Sequence, residues 1–261
     1  MLVMSPHSKR VVADSIAIDC HNLSFAYDGA GDSNAVIRDF NLTVASGTIL
    51  CILGASGCGK TSLLNLLAGF LVPQRGAVAV NGVPVSGPGP DRGVVFQEYS
   101  LFPWLTVLGN VEFSMAMRGM RRSARRPIAI ALLKQVGLEH AIGRYPFELS
   151  GGMKQRVAIA RTLAGNPQVL LMDEPFAALD ALTRASLQEE LLAIHRRTKT
   201  TIVFVTHNIA EAIKLGDRVI VLGPGARILE SIEGGRLSRA DPAFAQSYAR
   251  LANALNVEDA E

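Results

Sequence analysis

The sequence predicts an α/β fold: a mostly parallel sheet flanked by helices, with an antiparallel edge sheet and an inserted helical subdomain. Three observations lead there. Short β-branched apolar runs at 48–53, 94–96, 169–172, 202–205 and 219–222 are separated by helix-length segments, the pattern of crossover units joining parallel strands. Residues 48–68 read as strand, glycine-rich loop and helix in direct succession. Finally, 49% of the 261 residues are hydrophobic and mean hydropathy is +0.25, yet no apolar run approaches the roughly 20 residues a membrane helix needs. The apolar residues are therefore spent on many short buried segments, as in a sheet covered on both faces.

Taken in order, residues 1–15 read as a flexible tail in which Pro6, His7, Lys9 and Arg10 interrupt the apolar start, so no secretory core is expected. Ile16, Ile18 and Cys20 alternate, as do Phe40, Leu42 and Val44 after a turn-rich linker at 28–34, which predicts the antiparallel edge sheet. A Leu-rich helix follows the glycine loop at 60–68, with Gly69 as its stop. Between 98 and 166 no strand is expected, and helices are expected around 111–117, 128–135 and 153–163. Residues 16–97 and 167–235 then form the nucleotide-sized core and 98–166 the helical subdomain. Residues 236–261 make a C-terminal helix and tail: Asp241 and Pro242 are a good cap and first-turn pair, and Phe244, Tyr248, Leu251 and Leu255 share a helical face expected to pack on the body.

Charge and cysteine usage narrow the partners. Twenty-six basic against 23 acidic residues is too small an excess for a dedicated nucleic-acid binder. The three cysteines, Cys20, Cys51 and Cys58, fit neither a disulfide framework nor a metal-ligand spacing, which points to a reducing compartment.

Two segments carry chemistry. Gly54-Ala55-Ser56-Gly57-Cys58-Gly59-Lys60-Thr61 fits G-x-x-x-x-G-K-[ST] between a predicted strand and a predicted helix. Its glycines let backbone N–H groups turn in around an anion, and the following helix adds its positive end. Lys60 supplies a charge for the β- and γ-phosphates of a nucleotide, the Thr61 hydroxyl can complete a Mg2+ shell, and Ser62 reaches the α-phosphate side. The run Val169-Leu170-Leu171-Met172 ends in Asp173 and Glu174, two carboxylates at the carboxyl end of a buried strand, where such sheets place ligands. Asp173 suits Mg2+ through its water shell, and Glu174 suits polarisation of an attacking water.

Phosphate-loop kinases and GTPases satisfy those two segments as well. Leu149-Ser150-Gly151-Gly152-Met153-Lys154-Gln155-Arg156 separates them: it resembles the signature motif of ABC transporter ATP-binding subunits and stands upstream of Asp173-Glu174. The resemblance implies a P-loop NTPase ABC cassette in which Ser150, Gly151, Gly152 and Gln155 of one subunit meet ATP bound at Lys60 of a second copy, an isologous pairing. It further implies that Tyr27 stacks on adenine, that Gln97 senses Mg2+ and the water, that Ala178-Leu179-Asp180 is a dimer-contact loop, and that His207 contacts the γ-phosphate. Cys58 stands where serine is frequent in the family and keeps a small side chain.

The stretch Gly87-Pro88-Gly89-Pro90-Asp91-Arg92-Gly93-Val94-Val95-Phe96-Gln97-Glu98, with Leu101-Phe102-Pro103-Trp104-Leu105-Thr106 and Asn110-Val111 after it, is similar to the nitrate, sulfonate and taurine importer group. That resemblance implies ATP hydrolysis coupled to import of a small anion. Its implied partners are an integral-membrane permease, a second copy of the chain and, indirectly, a periplasmic solute-binding protein, with the subunit peripheral at the cytoplasmic face of the inner membrane. It also implies that Tyr99, Phe102 and Trp104 line a groove for a permease helix, and leaves little room for an added regulatory domain. Arg118, Arg121, Arg122, Arg125 and Arg126 are a solvated helix face or a contact for anionic lipid heads. The other class considered, a non-transport ABC ATPase acting on DNA or ribosomes, is disfavoured by the single cassette and by the short separation of Lys60 and Glu174.

Overall fold

The computed structural model of the chain describes residues 15–27, 35–234, 236–238 and 240–256. The expected tail, apart from Ser15, and the expected linker at 28–34 lie outside the described residues.

A four-stranded antiparallel sheet holds β1 (Ile16–Phe25) between β2 (Ile37–Ala45) and β4 (Arg75–Val80), with the two-residue β5 (Val83–Pro84) at its edge. The second sheet has six strands. Its centre is β3 (Ile49–Gly54), parallel to β8 (Thr201–Val205) on one side and β9 (Arg218–Leu222) on the other. Beyond β8 follow β7 (Val169–Asp173) and β6 (Arg92–Val95), both parallel, and β10 (Ile228–Glu233) closes the opposite edge antiparallel to β9.

Period-two alternation divides the core between the two faces of this sheet. Ile49, Cys51 and Leu53 join one cluster with residues of the helical subdomain, whereas Leu50 and Ile52 join another with Leu63, Leu66 and Leu67 and the inner face of the antiparallel sheet. All six residues of β3 are buried, so the strand reads as continuously apolar rather than alternating. Helix α1 (Lys60–Ala68) leaves the end of β3 and stops at Gly69, whose φ of 80° closes the helix with N–H bonds back to Asn65 and Leu66.

The helical subdomain consists of α2 (Val107–Met117), α3 (Arg122–Gln135) and α4 (Gly151–Ala164), with no strand among residues 98–166. Each helix starts earlier than the apolar periodicity suggested. In α2 the gap is four residues, because Thr106 caps it by accepting from Gly109 N at 3.1 Å. Helix α3 begins six residues before the expected 128 and has Pro127 inside it. Asn110, fully buried, binds Phe102 through both its amide groups and ties the entry segment of the subdomain to α2. Strands β4, β5 and β10 are absent from the sequence reading; β4, Arg75-Gly76-Ala77-Val78-Ala79-Val80, is short, glycine-containing and half exposed, so neither propensity nor a long apolar run marks it.

Helix α5 (Ala181–Thr198) precedes β8, and the seven-residue α6 (Ile209–Leu215) follows it. Helix α7 (Pro242–Asn256) packs Leu251, Phe244 and Leu255 on the main core as expected, and leaves Tyr248 43% exposed. A polar network fastens the chain before α7: Arg236 pairs with Asp217 at 2.7 Å and reaches His195 Nδ1 at 3.1 Å. His195 Nε2 meets Gly47 O at 3.0 Å, and Asp217 accepts from Ile49 N at 2.8 Å. Because an arginine N–H can only donate, His195 Nδ1 accepts and Nε2 carries the proton to Gly47, which fixes the neutral tautomer. Among the described residues no helix is long and apolar enough to cross a membrane.

Candidate functional site

Three neighbouring parallel strands, β3, β8 and β7, end at one rim of the sheet, and each delivers a different part of the site. Strand β3 runs into the glycine loop, β8 into Thr206 and His207, and β7 ends at Asp173 with Glu174 next. Placing ligands outside the carboxyl ends of parallel strands is the general habit of such sheets.

The loop has the backbone that its glycines permit. Gly57 and Gly59 take φ of 86° and 104°, left-handed conformations that a side chain disfavours. At Gly54 the reason is space: a Cβ there would lie 2.6 Å from both Cys58 Sγ and Leu222 O. Lys60, only 9% exposed, curls back so that Nζ donates to Gly54 O and Ala55 O, both at 2.7 Å. Its ammonium thus stands inside the loop, where an anion gathered by the loop N–H groups would find it. Ser56 and Thr61 flank this cradle, and Cys58 is 5% exposed beneath it.

Thr61 Oγ1 donates to Asp173 Oδ2 at 3.0 Å, so the ends of α1 and β7 present a hydroxyl and a carboxylate together. Burial raises the Asp173 pKa above the usual carboxylate range, against the opposing pull of the Thr61 hydrogen bond and of Lys60. A desolvated carboxylate beside a hydroxyl is a hard-oxygen pair that a divalent cation would satisfy, so these residues fit Mg2+. Next in sequence, Glu174 has φ of 42° and donates its N–H to Val205 O at 3.0 Å. That turn sends its side chain to His207: Glu174 Oε2 lies 2.9 Å from His207 Nδ1. The histidine side chain is 65% exposed and the glutamate 24%, an acid–imidazole pair open to an incoming phosphate.

Tyr27 is 47% exposed; its hydroxyl shares a 3.0 Å hydrogen bond with Ser62 Oγ, and its ring meets Phe25 edge-on at 4.9 Å. The aromatic expected at the base therefore stands over the first turn of α1. Gln97 lies two residues past the end of β6, in an exposed bend, rather than on the strand itself.

The signature segment opens α4. Ser150 caps the helix through Oγ, which accepts from Met153 N at 3.3 Å, and is itself exposed. Gly151 lies under Tyr99, whose hydroxyl would be 2.9 Å from an added Cβ. Two expected members of the motif differ. Gly152 is buried, and a Cβ on it would stand 2.5 Å from Thr183 Cγ2, so its missing side chain serves the close approach of α4 to α5. Gln155 is fully buried with neither side-chain amide atom hydrogen-bonded among the described residues, so it is not on the surface that Ser150 and Gly151 offer a nucleotide. The apolar side of the motif forced this: on a helix starting at Gly151, position 155 shares a buried face with Gly152 and Ile159.

A cavity of about 700 Å3 opens between the stretch after Gln97, α2 and α4, lined by Phe96, Phe102, Phe113, Met117 and Arg161. Phe102 lines this cavity, and Tyr99 and Trp104 do not. Tyr99 covers Gly151, and Trp104 stands 70% exposed with its ring 5.5 Å from that of Phe102. Arg161 binds Ser100 O at 2.6 Å and Tyr99 O at 3.3 Å and stacks over Phe102, joining the stretch to α4. Of the five clustered arginines, Arg118 binds Pro90 O at 2.6 Å and Arg125 binds Met120 O at 3.0 Å, while Arg121, Arg122 and Arg126 are exposed.

Sequence reasoning missed Thr206, Glu211 and Gln188, which are buried behind His207 and hydrogen-bonded to one another. The spacing Asn208-Ile209-Ala210-Glu211 was a visible signal, since it fits a helix cap followed three residues later by glutamate.

Comparison with known proteins agrees with this geometry. The profile of the ABC transporter family matches residues 37–177. The chain is 50% identical over 207 residues to an uncharacterised ABC transporter ATP-binding protein of Methanocaldococcus jannaschii, covering 79% of this chain and 78% of that one. It is 46% identical over 221 residues to a taurine import ATP-binding protein of Escherichia coli, covering 80% and 87%. Among solved structures, a dimeric ATP-binding cassette in a post-hydrolysis state with ADP and phosphate superposes with a TM-score of 0.74 at 30% identity, over 85% of this chain and 99% of that one. The Clostridium perfringens subunit cbiO1, part of the transporter complex cbiONQ, gives 0.78 at 25% identity over 94% and 100%. With its phosphate loop, acidic strand end and signature helix in the family's order, this chain belongs to the ABC transporter family as an ATP-binding, ATP-hydrolysing subunit.

Proposed function

We propose that the chain energises an importer of a small anion of the taurine, sulfonate or nitrate kind, binding MgATP between two copies of itself. The observation that carries the ATPase reading is the convergence of Lys60, Asp173, Glu174 and His207 at the ends of three adjacent strands. The likeness to a taurine import protein supports the class of cargo, and the dimeric relative with ADP and phosphate supports the paired arrangement.

In the mechanism, the loop from Gly54 to Gly59 gathers the β-phosphate on its N–H groups, and Lys60 exchanges its two carbonyl partners for phosphate oxygens. Tyr27 takes the base and Ser62 faces the α-phosphate. Thr61 and Asp173, assisted by Gln97, would hold Mg2+, which when bound neutralises charge on the terminal phosphates. Glu174 orients the water for in-line attack, and His207, whose Nδ1 lies 2.9 Å from Glu174, contacts the γ-phosphate. Ser150 and Gly151 of the second copy close the far side, with Asp180 at the contact between copies. After hydrolysis, charge repulsion and the lost bridge release the pair.

The permease partner would seat on the cavity beside Phe102 and Arg161, with the subunit peripheral at the cytoplasmic face of the membrane and a periplasmic binding protein delivering the cargo. Co-expression with a candidate permease subunit tests this. The expected result is a complex that hydrolyses MgATP and moves a labelled sulfonate or nitrate into vesicles. ATP hydrolysis with no accumulation of any of these anions would overturn the cargo assignment, and absence of hydrolysis would overturn the ATPase assignment.

A further inference from the structure

His207 is exposed, so packing does not fix its imidazole, yet its role requires a reproducible position. Glu174 holds the ring at Nδ1, and the backbone that carries the ring is fixed by its two neighbours in sequence. Thr206, 3% exposed, donates its N–H to Ile52 O at 3.1 Å, and its Oγ1 accepts the N–H of Asn208 at 3.1 Å. That bond closes a small ring of chain around His207, a hydroxyl-stabilised turn. A hydroxyl has one proton, and here it goes to Glu211 Oε2 at 2.5 Å. Glu211 is 7% exposed, and its other oxygen accepts from Gln188 Nε2 of α5 at 2.9 Å. Its own N–H is taken by Asn208 Oδ1 at 3.1 Å. Both carboxylate oxygens of Glu211 and the Thr206 hydroxyl therefore have partners, and the direction of each hydrogen bond follows from the one before it.

We propose that Glu211 is a positioning residue for ATP hydrolysis: through Thr206 it locks the turn that aims His207, and through Gln188 it references that turn to α5. The inference rests on the role given to His207 above. A carboxylate suits the place because it accepts from two directions, whereas an apolar residue leaves the Thr206 proton free to seek other acceptors and the turn free to relax. Helix α5 is capped by Asp180, whose carboxylate accepts from Leu182 N and Thr183 N, so the brace connects the histidine to the helix that starts at the expected contact between copies. The effect falls on orientation at the reacting phosphate and not on the loop that binds it. Loss of the brace should therefore lower kcat with little change in KM.

The test is steady-state MgATP hydrolysis by the full chain carrying Thr206→Val, Thr206→Ser, Glu211→Met or His207→Ala, with thermal unfolding of each. Thr206→Val keeps shape and removes the hydroxyl; Glu211→Met keeps length and removes both acceptors. Both should lower kcat about tenfold or more while KM stays within about twofold, and Thr206→Ser should restore most of the rate. In a His207→Ala background neither should lower the residual rate further, because the brace acts only through that imidazole. If His207→Ala is impaired while Thr206→Val and Glu211→Met turn over normally, the brace is wrong and the histidine's role stands. Equal loss in Thr206→Val and Thr206→Ser, or a rate loss that adds to that of His207→Ala, also overturns it. Undiminished turnover in His207→Ala removes the role of the histidine itself.

Discussion

Glu174 Oε2 and His207 Nδ1 are 2.9 Å apart across the ends of β7 and β8, so the acid and the imidazole form one hydrogen-bonded pair. Replacing Glu174 by Gln keeps this contact possible and removes the base. Hydrolysis should fall by about 10²–10⁴-fold while ATP binding is retained. Gel filtration with MgATP should then show a dimer that persists. Normal turnover would exclude Glu174 as the group that activates water.

Gly54 is enclosed by Cys58 Sγ and the carbonyl of Leu222, the latter a backbone atom that cannot rotate away. Gly54→Ala should destabilise the protein by about 1–3 kcal/mol through overpacking and weaken ATP binding with it. Urea unfolding and nucleotide titration measure the two effects, and an unchanged pair of curves would show that the loop has room.

Alkylation of Cys58 should block ATP binding, since the thiol lies beneath the loop 3.9 Å from Lys60 Nζ. Because it is 5% exposed, modification requires the loop to open and should be slow. Cys20 and Cys51 are buried as well, and burial lifts the Cys20 thiol to about 12 and Cys51 well above its ordinary value, so both remain protonated and inert. Mass spectrometry of the modified site against binding gives the answer; full binding by protein alkylated at Cys58 would refute the expectation.

The His195 network makes stability depend on pH. Burial first, and then the neighbouring Arg236 and Lys199, lower the pKa of His195 against the opposing influence of Asp217 and the Gly47 hydrogen bond. The unfolded chain then takes up a proton more readily than the folded one, so the contribution is complete above the ordinary histidine value near 6.5 and is lost as pH falls below it. The urea midpoint should drop between pH 7.5 and 5.5, and His195→Gln should shrink that drop by removing the titrating ring. An equal drop in the variant would place the proton elsewhere.

The parts most legible in the sequence were those whose chemistry is local. The glycine loop, the Asp173-Glu174 strand end and the cap at Ser150 each declare themselves within eight residues, because turn geometry and helix capping are short-range requirements. Strand β4 was not legible, since its place is set by pairing with β1, residues 18–24 against 75–80. Gln155 misled for a related reason: membership of a motif says nothing about which side of the helix a residue occupies, and the core behind α4 decides that. Glu211 escaped because its value lies in two tertiary hydrogen bonds, to Gln188 23 positions before it and to Thr206 across a turn.

Strand β3 has a parallel neighbour on each side and buried residues on each face. Its amides should be among the last in the molecule to exchange with deuterium, surviving until the whole domain opens. The nucleotide is thus moored to the stiffest ground the chain possesses, and the give demanded by a working motor has to come from the periphery, where the Phe96–Thr106 stretch and the return at 165–168 lead into and out of the helical subdomain.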